Sequence, residues 1–348
     1  MNILIVKLSA LGDVVQTIPA FEALRSRYPM AHISWLVEEG TAELLEHYPG
    51  LDEVYVCKRK SWLKKLRRPA LWPAVCLDII EFSKRLRNRY YDLIIDFQGL
   101  LKSAVWVGLA RGSRKVGFDG SREGSWRFLN ERLPPYDPNR HALKRYLDLA
   151  RYLGAETGKV LIRDPWTPAE EDQFKDRLDR VTRKGGSGLV VCHPMSRWQT
   201  KLWPESNFAR LAVEIVEKLH ATVVFTGSVE DRDKIAAILA QVGFGGLQNW
   251  AGTTNLRELA YLCKRADVVI STDSGPMHLA AVLGTPVVAL FGPTAPWRTG
   301  PYGKIHRVIR ANSDCSPCFQ KTCEKVDCMS AIEVDEVFRA VAEKLDKE

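Results

Sequence analysis

ADVVISTDSGPMHLAAVLGTPVVALFGPT, residues 266–294, is the stretch whose reading decides the fold. It begins as a continuous apolar run, turns through DSG, and resumes as PVVALFG. Near-continuous β-branched runs mark parallel strands covered on both faces. Between the runs, Pro276 suits the first turn of a helix, where its missing N–H costs nothing. Gly284 suits the position just past the helix end, where left-handed backbone is common. The stretch therefore reads as strand, tight turn, short helix, strand. Asp273 and Ser274 fall where side-chain oxygens cap helix N–H groups. They also fall where an anion binds, because free N–H groups and the helix dipole both favour negative charge. Every α/β domain contains several such units, so this stretch alone admits both readings.

Working outward, the same alternation covers most of the chain. NILIVKL (2–8), HISWLV (32–37), DEVYVC (52–57), YDLIIDF (91–97) and RKVGF (114–118) read as strands. VVQTIPAFEALRSRYP and HALKRYLDLARYLGA (141–155) carry apolar residues at helical spacing. Between Leu161 and Gly188 the pattern breaks into a turn-rich RDPWTP, a polar helix and the flexible run KGGSG. Strand and helix then alternate again from GLVVCHP onward. This predicts an α/β chain of two doubly wound parallel-sheet domains: 1–165, a linker region over 166–187, and 188–330. VDEVFRAVAEKLDKE supplies a final helix within 331–348.

Composition narrows the class. The 348 residues are 46% hydrophobic and 26% charged, ordinary for a soluble globular protein. No apolar run approaches the roughly 20 residues that span a bilayer. MNILIVKLSALGD has an acid soon after its apolar core and no small-residue cleavage site, so it reads as a first strand and not as a signal peptide. The net charge of +8 suggests an anionic partner. Much of it lies between Lys58 and Arg89, where Lys60, Lys64, Lys65, Arg67 and Arg68 interleave with Trp62, Leu63, Leu66 and Trp72. Pro69 and Pro73 are expected to interrupt any helix there. Such a segment fits an anionic membrane face, nucleic acid, or simply solvent.

Several common chemistries are absent. No strand leads into G-x-G-x-x-G, and neither a P-loop nor the G-x-S-x-G nucleophile elbow occurs. Two doubly wound domains without glycine motifs suggest nucleotide binding in a cleft by single helix ends. In the first loop, SALGDVVQT, Asp13 is either a helix cap or an ionised general base. In CHPMSRWQTKLWP (192–204), Lys201 suits a phosphate and Ser196 a hydrogen bond, unless Lys201 is only a surface charge. Glu230 follows the next strand, and His278 lies one turn into the opening helix as a packed or a ligand-facing ring. Cys315, Cys318, Cys323 and Cys328 are spaced C-x₂-C-x₄-C-x₄-C, which suits zinc, an iron–sulfur cluster, or packed reduced thiols.

Taken together, KLSALGDVVQTIPA, WLVEEG (35–40), DFQGLLKSA (96–104), STDSGPMHLAA with ALFGPT, and CSPC (315–318) resemble the ADP-heptose:lipopolysaccharide heptosyltransferases of glycosyltransferase family 9. WLVEEG and DFQGLLKSA are most similar to the heptosyltransferase I branch. The resemblance implies a GT-B fold, two Rossmann-like domains facing across a cleft. It implies an inverting transfer that needs no catalytic cofactor, from ADP-heptose to the Kdo-lipid A inner core. By position Asp13 matches the catalytic base. Ser196, Lys201, Glu230, Asp273, Ser274, Gly275 and His278 match nucleotide-sugar contacts, although the segment around Lys201 is one residue longer than the branch pattern. The basic residues Lys60, Lys64, Lys65, Arg67 and Arg68 then have an anionic acceptor. The protein is expected in the cytoplasm, peripherally on the inner membrane face, without nucleic acid. The C-terminal helix is expected to pack back on the first domain, as in other GT-B proteins. Two other readings share the fold: a heptosyltransferase II-like transfer to the first heptose, and a sugar-nucleotide 2-epimerase.

Overall fold

The computed structural model describes residues 1–158, 162–182, 188–242 and 247–346. Two units divide the chain, Met1–Pro165 and Trp166–Glu348.

In the first unit the chain runs β1 (Asn2–Val6), α1 (Leu11–Arg27), β2 (His32–Glu38), α2 (Glu39–Leu45), β3 (Glu53–Cys57), α3 (Arg59–Lys65), α4 (Trp72–Arg87), β4 (Tyr90–Asp96), α5 (Leu101–Leu109), β5 (Arg111–Phe118), β6 (Glu131–Leu133) and α6 (Ala142–Tyr152). The strands pair in parallel in the order β3-β2-β1-β4-β5-β6. Ile3, Leu4, Ile5 and Val6 are fully buried, as an apolar central strand with helices on both faces requires. The chain builds outward from β1 to β3, then crosses to β4 on the other side of β1. The loops after β1 and β4 therefore leave the sheet side by side at its carboxyl edge, where doubly wound sheets bind ligands.

Pro69 does interrupt the basic segment, as a single 3₁₀ turn over Pro69–Leu71. Pro73 does not: it lies in the first turn of the 16-residue α4, where a missing N–H is harmless. Trp62 is buried between α3 and α4, its indole donating to Asp78 at 2.8 Å.

The second unit opens with α7 (Pro168–Asp179), started by a reciprocal cap between Thr167 and Glu170. Arg177 of α7 pairs with Glu258 at 2.7 Å, so the helix expected in the linker is anchored in this unit. Of KGGSG, all but Gly188 lies outside the described residues. Next come β7 (Leu189–His193), α8 (Glu205–Leu219), β8 (Thr222–Phe225), α9 (Arg232–Ala240), β9 (Leu247–Asn249), α10 (Leu256–Arg265) and β10 (Val268–Thr272). The chain ends with α11 (Gly275–Val282), β11 (Val287–Leu290), α12 (Pro296–Thr299), β12 (Arg307–Ile309), α13 (Asp327–Ser330) and α14 (Val334–Leu345). The parallel order is β12-β11-β10-β7-β8-β9, so β7 and β10 flank the point where the winding reverses. Gly284 takes the left-handed backbone expected after α11, at φ +82°. The C-terminal helix α14 packs on α8, with Val337 and Val341 fully buried in this unit's core.

The edge strands β6, β9 and β12 have three residues each, too short to show a period in the sequence. Among the described residues no helix is long and apolar enough to cross a membrane.

Candidate active site

The second unit gathers its polar groups at the winding reversal. Ser274 occupies the N-cap position of α11, yet its side chain makes no capping bond. Its hydroxyl lies 3.0 Å from that of Ser271 instead. The Asp273 carboxylate turns to Lys201, whose Nζ stands 2.6 Å from Oδ2. Thr294 donates its hydroxyl to the same oxygen at 2.7 Å. Ser196 donates to the Asp273 carbonyl at 3.3 Å. The reading of Asp273 and Ser274 as caps alone therefore fails, and among the described residues the N-cap of α11 makes no side-chain cap. Lys201 is also no surface charge: its side chain is 13% exposed, and its ammonium lies over the Trp198 ring at 4.5 Å.

His278 is buried on the first turn of α11, beside Gly275 and Pro276. Glu230 is exposed in the turn after β8, and among the described residues no hydrogen bond or ion pair joins it to the Lys201–Asp273 pair. Instead Asp231 closes that turn, accepting from the Ser228 N–H at 2.9 Å. At the end of β7, His193 Nδ1 lies 3.1 Å from the Thr226 hydroxyl, and burial pulls the ring's pKa down to about 4. Sequence reasoning passed over His193 and Thr294. Thr294 closes the stretch that decides the fold, but its pairing with Asp273 needs the β10–β11 register to be seen.

In the first unit, Asp13 is the third residue of α1. Its Oδ2 accepts the Ala10 N–H at 3.3 Å, and Oδ1 accepts the Tyr146 hydroxyl at 3.0 Å. Lys7 Nζ lies 3.8 Å from Oδ1 and donates to the Tyr146 oxygen at 2.7 Å. The Asp13 side chain keeps 42% exposure, while Lys7 has 3%. The loop is fastened to the one after β4 by Gln98, whose Oε1 accepts from the N–H groups of Leu8 and Ser9, both at 3.1 Å. Asp96 ends β4 and is buried, which raises its pKa, although it accepts from the N–H groups of Gln98 and Gly99. Glu38 ends β2 with 3% exposure and draws three cations: Arg59 at 2.7 Å, Lys102 at 3.8 Å and Lys60 at 3.9 Å. Lys7, Glu38, Lys102 and Tyr146 were not legible as site residues, because they come from four separate elements.

Lys60, Lys64, Lys65, Arg67 and Arg68 are all exposed, on α3 and the turn after it. Leu63 and Trp72 are about half exposed on the same segment.

Cys315, Cys318, Cys323 and Cys328 do line one cavity, of about 360 Å³, together with Thr200 and Pro293. Cys315 and Cys323 are exposed, while burial raises the Cys328 thiol. Among the described residues no group of three or more His, Cys, Asp or Glu is arranged to hold a metal ion. The four thiols thus share a cavity, and the three others add to the burial that raises Cys328.

Two doubly wound parallel sheets, each with its polar loops at the winding reversal, are the architecture of GT-B glycosyltransferases. Residues 79–328 match the model of glycosyltransferase family 9 (heptosyltransferase), and the chain belongs to that family. It is 32% identical over 331 residues to lipopolysaccharide heptosyltransferase 1 of Pseudomonas aeruginosa, covering 93% of this chain and 87% of that one. Its fold is similar to E. coli heptosyltransferase WaaC with ADP, at TM-score 0.79 and 26% identity, covering 99% of this chain and all of that one. The same E. coli protein with ADP-2-deoxy-2-fluoro heptose gives TM-score 0.77 and 25% identity over 99% of both chains.

Proposed function

We propose that this enzyme moves L-glycero-D-manno-heptose from ADP-heptose to the Kdo-lipid A inner core of lipopolysaccharide, with inversion and without a catalytic cofactor. The observation that carries the reading is the start of α11, where Lys201, Asp273 and Thr294 converge on a helix end whose N-cap, among the described residues, makes no side-chain cap. A cation beside free N–H groups suits a diphosphate. Support for the donor comes from the relative solved with ADP and with an ADP-heptose analogue.

In the proposed step Asp13 takes the proton of an acceptor hydroxyl. The oxygen forms its bond to the anomeric carbon from the face opposite the diphosphate, and the bond to ADP breaks. Negative charge then grows on the leaving diphosphate. Lys201 and the N–H groups at Ser274–Gly275 stabilise it. Ser196, His278 and Glu230 complete the donor contacts. General-base assistance contributes roughly 10²–10⁴ in rate. Lys60, Lys64, Lys65, Arg67 and Arg68 bind the phosphates of the acceptor. With exposed Leu63 and Trp72 beside them, they also rest on the anionic inner face of the cytoplasmic membrane.

The test is turnover of ADP-heptose with Kdo-lipid A, with already heptosylated acceptor, and alone. Release of ADP with Kdo-lipid A, and an Asp13→Asn protein that binds ADP normally but turns over at least about 10²-fold more slowly, is the expected result. Transfer only to heptosylated acceptor, isomerised donor in the absence of acceptor, or near-normal turnover by Asp13→Asn overturns it.

A further inference from the structure

The first unit contains a buried chain of hydrogen bonds that ends on Asp13. Lys7 follows β1 and is 3% exposed. Its ammonium donates to the Phe97 carbonyl at 3.1 Å and to the Tyr146 oxygen at 2.7 Å. An ammonium is a donor only. The phenol therefore accepts from Lys7, and its own proton points to Asp13 Oδ1, 3.0 Å away. The direction of the chain is fixed: Lys7 to Tyr146 to Asp13.

We propose that Tyr146 is the positioning residue of Asp13: its hydroxyl, oriented by Lys7, holds the carboxylate in one rotamer and keeps it in the ionised, proton-accepting form. The inference rests on the reading of Asp13 as the general base. Tyr146 does not touch the reacting atoms; it acts through Asp13.

Three observations carry it. Asp13 is 42% exposed, the Ala10 N–H reaches its Oδ2 at 3.3 Å, and the Tyr146 hydroxyl reaches the other oxygen, Oδ1, at 3.0 Å. The anchor comes from α6, which packs on α1 and is itself capped by His141 Nδ1, accepting from the Leu143 N–H at 3.2 Å. The phenol is itself held, because its ring meets Phe97 edge-on at 6.0 Å and lies under the Lys7 ammonium at 4.4 Å. Burial, and then the charge of Asp13, keep the phenol protonated far above its ordinary range, so it remains a donor at every pH of interest. The charged groups around the Lys7–Tyr146–Asp13 chain are Arg145 from α6, Lys102 from α5 and Asp96 at the end of β4, beside the neutral Tyr146 phenol. A donor to the ionised form of a carboxylate favours that form.

Tyr146→Phe keeps the ring and deletes the donor. It is expected to lower kcat by about tenfold and to move the acid limb of kcat/KM upward by about half a pH unit or more, with ADP affinity unchanged. A role confined to packing would leave the limb in place. Lys7→Met, made in parallel, removes the group that orients the phenol and is expected to move the limb in the same direction. Cooperative thermal unfolding together with ADP binding reports folding of both units in each variant. If Asp13→Asn turns over normally, the base reading falls whatever Tyr146 does. If Asp13→Asn is inactive while either folded variant keeps the wild-type acid limb and a kcat within about twofold, this inference alone falls.

Discussion

The Lys201 ammonium and the Asp273 carboxylate stand 2.6 Å apart with 13% and 8% of their side chains exposed, and Thr294 donates to the same carboxylate oxygen. The pair joins the segment between β7 and α8 to the loop that starts α11. It also keeps a cation at the end of that helix without letting the acid cap it.

Removing one partner of such a pair leaves a buried charge behind. Lys201→Met is expected to destabilise the protein by about 3–5 kcal/mol and to weaken ADP binding at least about tenfold. Paired Lys201→Met and Asp273→Leu changes should recover much of the stability and none of the affinity. Thermal unfolding with ADP calorimetry on the single and double variants separates these effects. Wild-type ADP affinity in the single variant would leave Lys201 with a structural role only.

Thr294→Val keeps shape and volume and removes only the hydroxyl. Asp273 still has Lys201, so the expected cost is smaller, about 1–2 kcal/mol. Denaturant unfolding measures it, and no change in the midpoint would mean that the Thr294 bond contributes nothing net.

Charge reversal at Lys64, Lys65, Arg67 and Arg68 should leave ADP binding intact. It is expected to raise the KM for a phosphorylated lipid acceptor at least about fivefold at low salt and to flatten the dependence of that KM on ionic strength. These side chains are exposed and, among the described residues, have no ion-pair partner, so the fold should survive. An unchanged KM and salt response would make the segment a solvated face.

His193 gives the protein a pH dependence of its own. Burial lowers the ring's pKa from 6.5 to about 4 in the folded chain. Between those values the unfolded chain binds the proton and the folded one does not. Stability is therefore complete above about pH 6.5 and falls as the pH drops toward 4, by at most roughly 3 kcal/mol from this group. Denaturant titrations at pH 7 and pH 5 should show the loss in wild type and less of it in His193→Gln. Equal losses in both proteins would place the proton uptake elsewhere.

The sequence by itself determined the two parallel-sheet units, because buried strands and amphipathic helices have periods that survive in one dimension. It also marked the loops that matter: SALGD after β1 and DSG after β10 stand out because a turn, a polar cluster and a helix start coincide there. It misjudged Pro73, because a proline that opens a helix and one that breaks it look alike until the helix start is known. It missed the three-residue edge strands for want of a period. What only the tertiary structure decided is which side chains meet. Lys201 and Asp273 are 72 residues apart, Asp13 and Tyr146 133. Spacing along a chain reports contacts within one element. Contacts between elements depend on strand order and register, so the ion pair under α11 and the Lys7–Tyr146–Asp13 chain exist only once each sheet is assembled.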